Sequence, residues 1–178
     1  MAIRNIIRMG HPTLRTIADV YPVDRIGSVE FNELITDLRD TLTASGGIGL
    51  AAPQINISSK VVVIEIPAEE TRYDQAISMP FSVFVNPRIE VINPEQQGYW
   101  EGCLSVPGLR GKVYRPQHIA LEYLDHNGDA QQMELQGFLA TVFQHEFDHL
   151  HGKLYLDHIR DTTQLSFEAE FLEFELDR

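Results

Sequence analysis

The chain has 178 residues, 43% of them apolar and 22% charged, and carries a formal net charge of −12. That length suits one well-filled core and is short for two ordinary domains, so a single domain over residues 1–178 is expected. No run of about 18 apolar residues occurs and no apolar segment near the N-terminus leads to a small-residue cleavage site, which argues against a membrane span and a secretory leader; the acidic balance argues against nucleic acid as the main partner, because phosphate binding needs clustered Lys and Arg.

In chain order, Ser28 precedes Phe31, Leu34, Ile35, Leu38 and Leu42 at helical spacing, and Gly46-Gly47 follows as a stop signal, so the first predicted element is an amphipathic helix. The small-residue stretch Gly46-Gly47-Ile48-Gly49-Leu50-Ala51-Ala52-Pro53-Gln54 lacks the Lys-Ser/Thr ending of a phosphate loop. Alone it reads equally well as the end of that helix, with Gln54 in an exposed turn. β-Branched and aromatic runs at 60–66 and 81–86, bounded by Pro67, Pro80 and Pro87, predict strands with a polar loop over 68–79 between them. Further strands are expected at 88–92, 99–104 and 112–115, with Pro107-Gly108 ending the one that carries Cys103. Residues 118–123 and 131–135 flank Asp125-His126-Asn127-Gly128-Asp129, whose Asn-Gly pair predicts a hairpin. A second helix starts near Gly137, with Phe138, Val142, His145 and His149 on related faces. At the end of the chain, a helix over 161–178 would show one stripe of Leu165, Ala169, Leu172 and Leu176 and another of Phe167, Phe171 and Phe174. An alternating strand pattern is also present there. The helix reading packs one stripe on the domain and leaves the other for a second copy in a two-fold dimer, unless both are covered within one chain or the end is disordered. With no repeat and no linker, the fold class is α+β, small antiparallel β-sheets around a central helix.

His145-Glu146-Phe147-Asp148-His149 is a His-Glu-x-x-His pattern within the second predicted helix, the context this pattern requires. Residues four apart on a helix turn by about 400°, so the two imidazoles share a face and can share an ion, while Glu146 is offset by about 100° and can lean over a water without ligating. Neutral imidazole suits zinc or ferrous iron, and a nearby carboxylate can take the proton that the water must lose. The competing reading is a pair of ordinary surface histidines, in a chain that has 7. A catalytic ion needs a third protein ligand and one open position. Cys103, the only cysteine, is the candidate, in Glu101-Gly102-Cys103-Leu104-Ser105-Val106-Pro107-Gly108. A thiolate, two imidazoles and a divalent ion together carry a net charge of about +1, which favours an attacking hydroxide. Cys103 reads otherwise as a small buried hydrophobe or as a nucleophile with His145 as base, the latter leaving Glu146 and His149 without a role. A lone thiol excludes an intramolecular disulfide and fits a reducing compartment, so the cytoplasm is the expected location.

Taken together, Gly47-Ile48-Gly49-Leu50-Ala51-Ala52-Pro53-Gln54, Glu101-Gly102-Cys103-Leu104-Ser105 and Gln144-His145-Glu146-Phe147-Asp148-His149-Leu150 resemble the motifs of the peptide deformylases in order and interval. The likeness includes Pro12-Thr13-Leu14-Arg15 and Gly152-Lys153-Leu154-Tyr155. The resemblance implies a metal-dependent hydrolase that removes the formyl group from N-formylmethionyl peptides of nascent chains and releases formate. It makes Cys103, His145 and His149 the metal ligands, with ferrous iron as the ion and zinc, nickel or cobalt as substitutes, and Glu146 the general base. Gln54 would give its side-chain amide, and Leu104 its backbone N–H, to the oxyanion. The methionine pocket would be formed by Ile48, Tyr99, Phe138, Val142 and the ring of His145, and the peptide would bond along Ile48-Gly49 and Gly102, with Glu101 and Arg110 close by. Thr141, where an aliphatic residue would be at home, and the bulk of Tyr99 depart from the pattern and bear on the shape of this pocket. The segment 65–81 resembles longer loops of some members, expected to cover one side of the cleft. Some members dock on the ribosome through a C-terminal helix, but six acids against Arg178 alone make the tail 161–178 wrong for gripping RNA. The rival enzyme reading, a zinc peptidase of the His-Glu-x-x-His sort, would take His158 as third ligand and leave Cys103 and Gln54 idle. A non-enzymatic reading, a homologue that binds formyl peptides without turnover, has every catalytic position against it.

Overall fold

A computed structural model describes residues 3–67 and 78–174. The first helix, α1 (Val29–Ser45), starts where expected: the Ser28 side chain accepts a hydrogen bond from Phe31 N, and Gly46 ends the helix in the left-handed conformation at φ 66°. The other named elements are β1 (Gly49–Ala51), β2 (Val61–Ile66), β3 (Met79–Cys103), β4 (Val106–Leu124), β5 (Ala130–Gln136), α2 (Gly137–His149), β6 (Leu165–Phe167) and α3 (Glu168–Phe174).

The strands form one antiparallel sheet in the order β1-β2-β3-β4-β5, with β6 added to β4. Sequence reading expects separate short strands, and the structure joins them. The pieces at 81–86, 88–92 and 99–104 lie along β3, and those at 112–115 and 118–123 along β4, which already includes Pro107-Gly108. Prolines do not break these strands because the register shifts around them: between Val85 and Arg88, which spans Pro87, and between Asn93 and Gln96, which spans Pro94. At such bulges a missing N–H costs the ladder little, and the strand bends instead of ending. The hairpin between β4 and β5 turns at Asn127-Gly128 as expected. The centre of the 68–79 loop falls outside the described residues, so its expected cover of the cleft does too.

Alternation along β2 explains the layering. Val62, Ile64 and Ile66 join Phe143 and Phe147 of α2 in one core cluster, while Val61 and Val63 join Phe31, Leu34, Leu38 and Leu42 of α1 in another. Burial on both faces is why this strand reads as an unbroken apolar run. The α+β class holds, with α2 buried along most of its circumference. The C-terminal segment is neither one helix nor one strand. Residues 165–167 are extended, the chain turns helical at Glu168, and the Phe stripe is split, Phe171 being buried while Phe167 and Phe174 are exposed.

Candidate active site

β3 ends at Cys103, and α2 passes beneath it, its dihedral repeat presenting His145 and His149 on the same side. One ligand atom from each of these three residues lies within 4.8 Å of the others, and Cys103 Sγ is 3.4 Å from His149 Nε2. Tetrahedral ligands about a small divalent ion stand about 3.4–3.6 Å apart, so the triangle needs little adjustment to close on one. His145 Nδ1 is bonded to Glu101 Oε2 at 2.7 Å, which leaves its other nitrogen for the ion. Burial works to raise the Cys103 thiol, but the charge of His149 and hydrogen bonds from both histidines override it and hold the thiol well below its usual value. His145 moves the other way: burial opposes its charge, but bonds to Cys103 and Glu101 prevail and raise it well above the usual imidazole value. A thiol shifted toward its thiolate beside an imidazole shifted toward its charged form makes a donor set in which a cation can take the place of the protons. The donors therefore fit a divalent metal.

Glu146 is buried, and burial raises its carboxyl above the usual range. Among the described residues its Oε2 has no hydrogen-bond partner, unusual for a carboxylate with so little access to bulk water. It is pressed by β1: a Cβ added at Gly49 would stand 2.4 Å from Glu146 Oε1. Gln54 is not an exposed turn residue. It is 2% exposed, in a 3₁₀ turn after β1, where its Oε1 accepts from Ala51 N at 2.8 Å. That bond orients the amide so that Nε2 meets Cys103 Sγ at 3.7 Å and Ser105 Oγ at 3.3 Å.

These groups open on one cleft, lined among others by Ile48, Gly49, Gln54, Gly102, Leu104 and Arg110. Phe138, Val142, His145 and Glu146 line it too. Tyr99 stands behind Phe138, ring centroids 5.6 Å apart, instead of in the lining. Glu101 reaches the cleft, but its carboxylate is tied to His145 and, through Oε1 and Oε2, to the guanidinium of Arg115 at 2.6 and 3.1 Å. Arg115 also donates to Asp148 Oδ2 at 2.8 Å, and His158 Nε2 meets the same oxygen at 2.8 Å. Burial opposes the charge on Asp148, yet the bonds from His158 and Arg115 lower it to about 2. His158 is thus bonded to Asp148 and is not in the metal group, which removes the third ligand of the zinc-peptidase reading. Sequence reasoning missed Arg115, Asp148 and Tyr155, whose ring stacks on His145 at 6.0 Å. Their only sequence signal is a charged or aromatic residue at a position that folding makes internal.

Residues 3–165 match the family model described as polypeptide deformylase. A peptide deformylase of Leptospira biflexa is 38% identical over 170 residues, covering 96% of this chain and 95% of that one. Peptide deformylase 2 of Pseudomonas syringae pv. tomato is 44% identical over 165 residues, covering 93% and 92%. Among solved structures, a class I type b peptide deformylase of Acinetobacter baumannii bound to Met-Ala-Ser superposes with a TM-score of 0.84 at 34% identity, covering 89% of this chain and 99% of that one.

Proposed function

The chain belongs to the polypeptide deformylase family, metal-dependent hydrolases that take the formyl group from the N-formylmethionine of new polypeptides and release formate, and from that premise we propose how its residues divide the work. Cys103, His145 and His149 hold one divalent ion. When bound, the ion supplies a Lewis acid that lets a water molecule lose a proton near neutral pH. Glu146 takes that proton and later gives it to the leaving amine; its unpartnered oxygen and its raised proton affinity support both tasks. The Gln54 amide, fixed by Ala51 N, and the Leu104 backbone N–H donate to the carbonyl oxygen as charge grows there. A formyl carbon carries only hydrogen, so it can approach the metal group beside Gly49 and Glu146 where a larger acyl group would be crowded.

The methionine side chain lies against Ile48, Phe138, Val142 and the His145 ring, an apolar slot suited to an unbranched thioether. The peptide backbone runs along β1, which is an edge strand of the sheet and so offers free backbone groups, and along Gly102. The Met-Ala-Ser held by the Acinetobacter baumannii relative is a peptide of the kind placed here. We place the reaction in the cytoplasm on chains leaving the ribosome, without a role in RNA contact for the acidic tail. Among the described residues no helix is long and apolar enough to cross a membrane.

The observation that carries this reading is the close triangle of Cys103, His145 and His149 beside a buried carboxylate with an unpartnered oxygen. Its test is the product pattern from formyl-Met-Ala-Ser and oxygen-free, iron-loaded protein. Formate with an intact Met-Ala-Ser is the expected outcome; cleavage between Met and Ala without formate would mean a peptidase. Of the ions that a thiolate and two imidazoles accept, we assign ferrous iron, with zinc, nickel and cobalt as substitutes. The iron form should lose activity in air within hours as iron and the Cys103 thiolate oxidise, while a nickel form persists. An iron form that stays fully active in air for days would contradict that assignment.

A further inference from the structure

The C-terminal segment returns to the cleft. β6 pairs with the start of β4, setting Leu109 opposite Phe167, Arg110 opposite Ser166 and Gly111 opposite Leu165. α3 then packs Phe171 against Trp100, ring centroids 5.1 Å apart. These anchors bring Glu168, the first residue of α3, to Arg110: its Oε1 accepts from Nε at 3.2 Å and from the second terminal nitrogen at 2.5 Å. Both residues line the cleft that contains the metal group. The Arg110 guanidinium covers Gly102 so closely that a Cβ there would meet it at 2.4 Å, which sets the pair beside the strand leading to Cys103. Leu109, next to Arg110, packs in the cluster of Val106 and Tyr155, whereas Ile48, Phe138 and Val142 pack in the cluster of α2. The charged pair and the apolar slot are therefore different parts of one cleft.

Alone, Arg110 would draw acidic side chains of a bound peptide. Glu168 cancels that charge, and because both bonds end on Oε1, its Oε2 is left to accept from a second cation. The side chains are 29% exposed for Arg110 and 43% for Glu168, within reach of a ligand in the cleft. The match to the family model ends at residue 165, so this carboxylate comes from a part of the chain outside it. We propose that Glu168 is a specificity-determining residue: by neutralising Arg110 at the cleft wall, it makes the enzyme prefer formylmethionyl peptides with a basic side chain downstream of methionine over those with an acidic one. This rests on the deformylase reading above.

The test compares kcat/KM for C-terminally amidated formyl-Met-Ala-Lys and formyl-Met-Ala-Glu, and for the same charges at the second position, using full-length metal-loaded protein. The Lys-to-Glu ratio, taken within each variant so that a general loss of activity cancels, should exceed one in the wild type and persist in Glu168→Asp. In Glu168→Gln it should fall roughly three- to tenfold, mainly through KM, and less so at about 1 M salt, where rim charges are screened. Turnover of formyl-Met-Ala-Ser with a ratio unaltered by Glu168→Gln and Glu168→Lys would overturn this proposal alone. No turnover of formyl-Met-Ala-Ser by the wild type would overturn the deformylase reading and this proposal with it.

Discussion

Glu146 projects from α2 against the backbone of β1 at Gly49, and its neighbours decide where its carboxylate stands. In the proposed mechanism, Gln at 146 removes the proton acceptor and leaves Cys103, His145 and His149 intact, so Glu146→Gln should keep its ion and lose about 10²–10⁴-fold in turnover. Near-normal formate release would remove Glu146 from the mechanism. Gly49 tests position instead of chemistry. Its backbone is not in the left-handed region, so Ala fits the chain locally, but the new Cβ would lie 2.4 Å from Glu146 Oε1. The same Cβ would stand 2.5 Å from Glu146 Cδ and 2.7 Å from its Cγ, so the whole of that buried side chain has to shift. We expect Gly49→Ala to melt below wild type, still bind metal and lose most of its kcat while folded; full activity would show that the carboxylate need not stand where it does. Helical spacing, a local property, placed His145, Glu146 and His149 together, and Cys103 joined them as the only cysteine and through the family resemblance. The motifs gave no reason for a glycine at 49, since that reason is the carboxylate of a residue 97 positions further on, brought there by packing.

At the scale of elements, Arg115 is the tie. Its guanidinium lies between Glu101 of β3 and Asp148 of α2, and Glu101 in turn holds His145. Arg115→Met would take from Glu101 and Asp148 the guanidinium they share, leaving only His145 and His158 on them, and breaking a buried pair from one side costs roughly 3–5 kcal/mol. In a chain of this size that lowers the thermal midpoint by roughly 10 °C. Metal should also bind more weakly, because Glu101, which orients His145, loses its own support from Arg115. A midpoint shift of a degree or two would contradict the role given to the tie. Helices α1 and α2, strand β2 and the Asn127-Gly128 hairpin were legible because capping, period and turn chemistry are written in neighbouring residues. The continuity of β3 and β4 was not, because the bulges that accommodate Pro87 and Pro94 depend on the partner strand. The C-terminal segment misled for a related reason: its apolar residues serve strand pairing up to Phe167 and helix packing from Glu168, so no single period describes them.

Across the whole molecule, distant segments converge on the site. The N-terminal segment ties Arg4 to Asp37 of α1, gives Ile7 N to Gln54 O at 2.9 Å and gives Met9 N to Ser105 O at 2.8 Å, so the Gln54 turn and the residues just after Cys103 share one support. Pro12-Thr13-Leu14-Arg15 and Gly152, far apart in sequence, meet: a Cβ at Gly152 would stand 2.7 Å from the Arg15 carbonyl carbon, and its φ is +68°. Arg15 also pairs with Asp157. This convergence holds a thiolate and two imidazoles close together, and the central claim is that they bind the ion on which hydrolysis depends. The most direct test is to titrate metal-free protein with ferrous iron under strict exclusion of oxygen while following bound metal and formate release from formyl-Met-Ala-Ser in the same samples. The account predicts that activity is absent without metal, rises in proportion to bound iron and saturates at about one ion per chain. Formate release from the metal-free protein, or none from the fully loaded one, would contradict it.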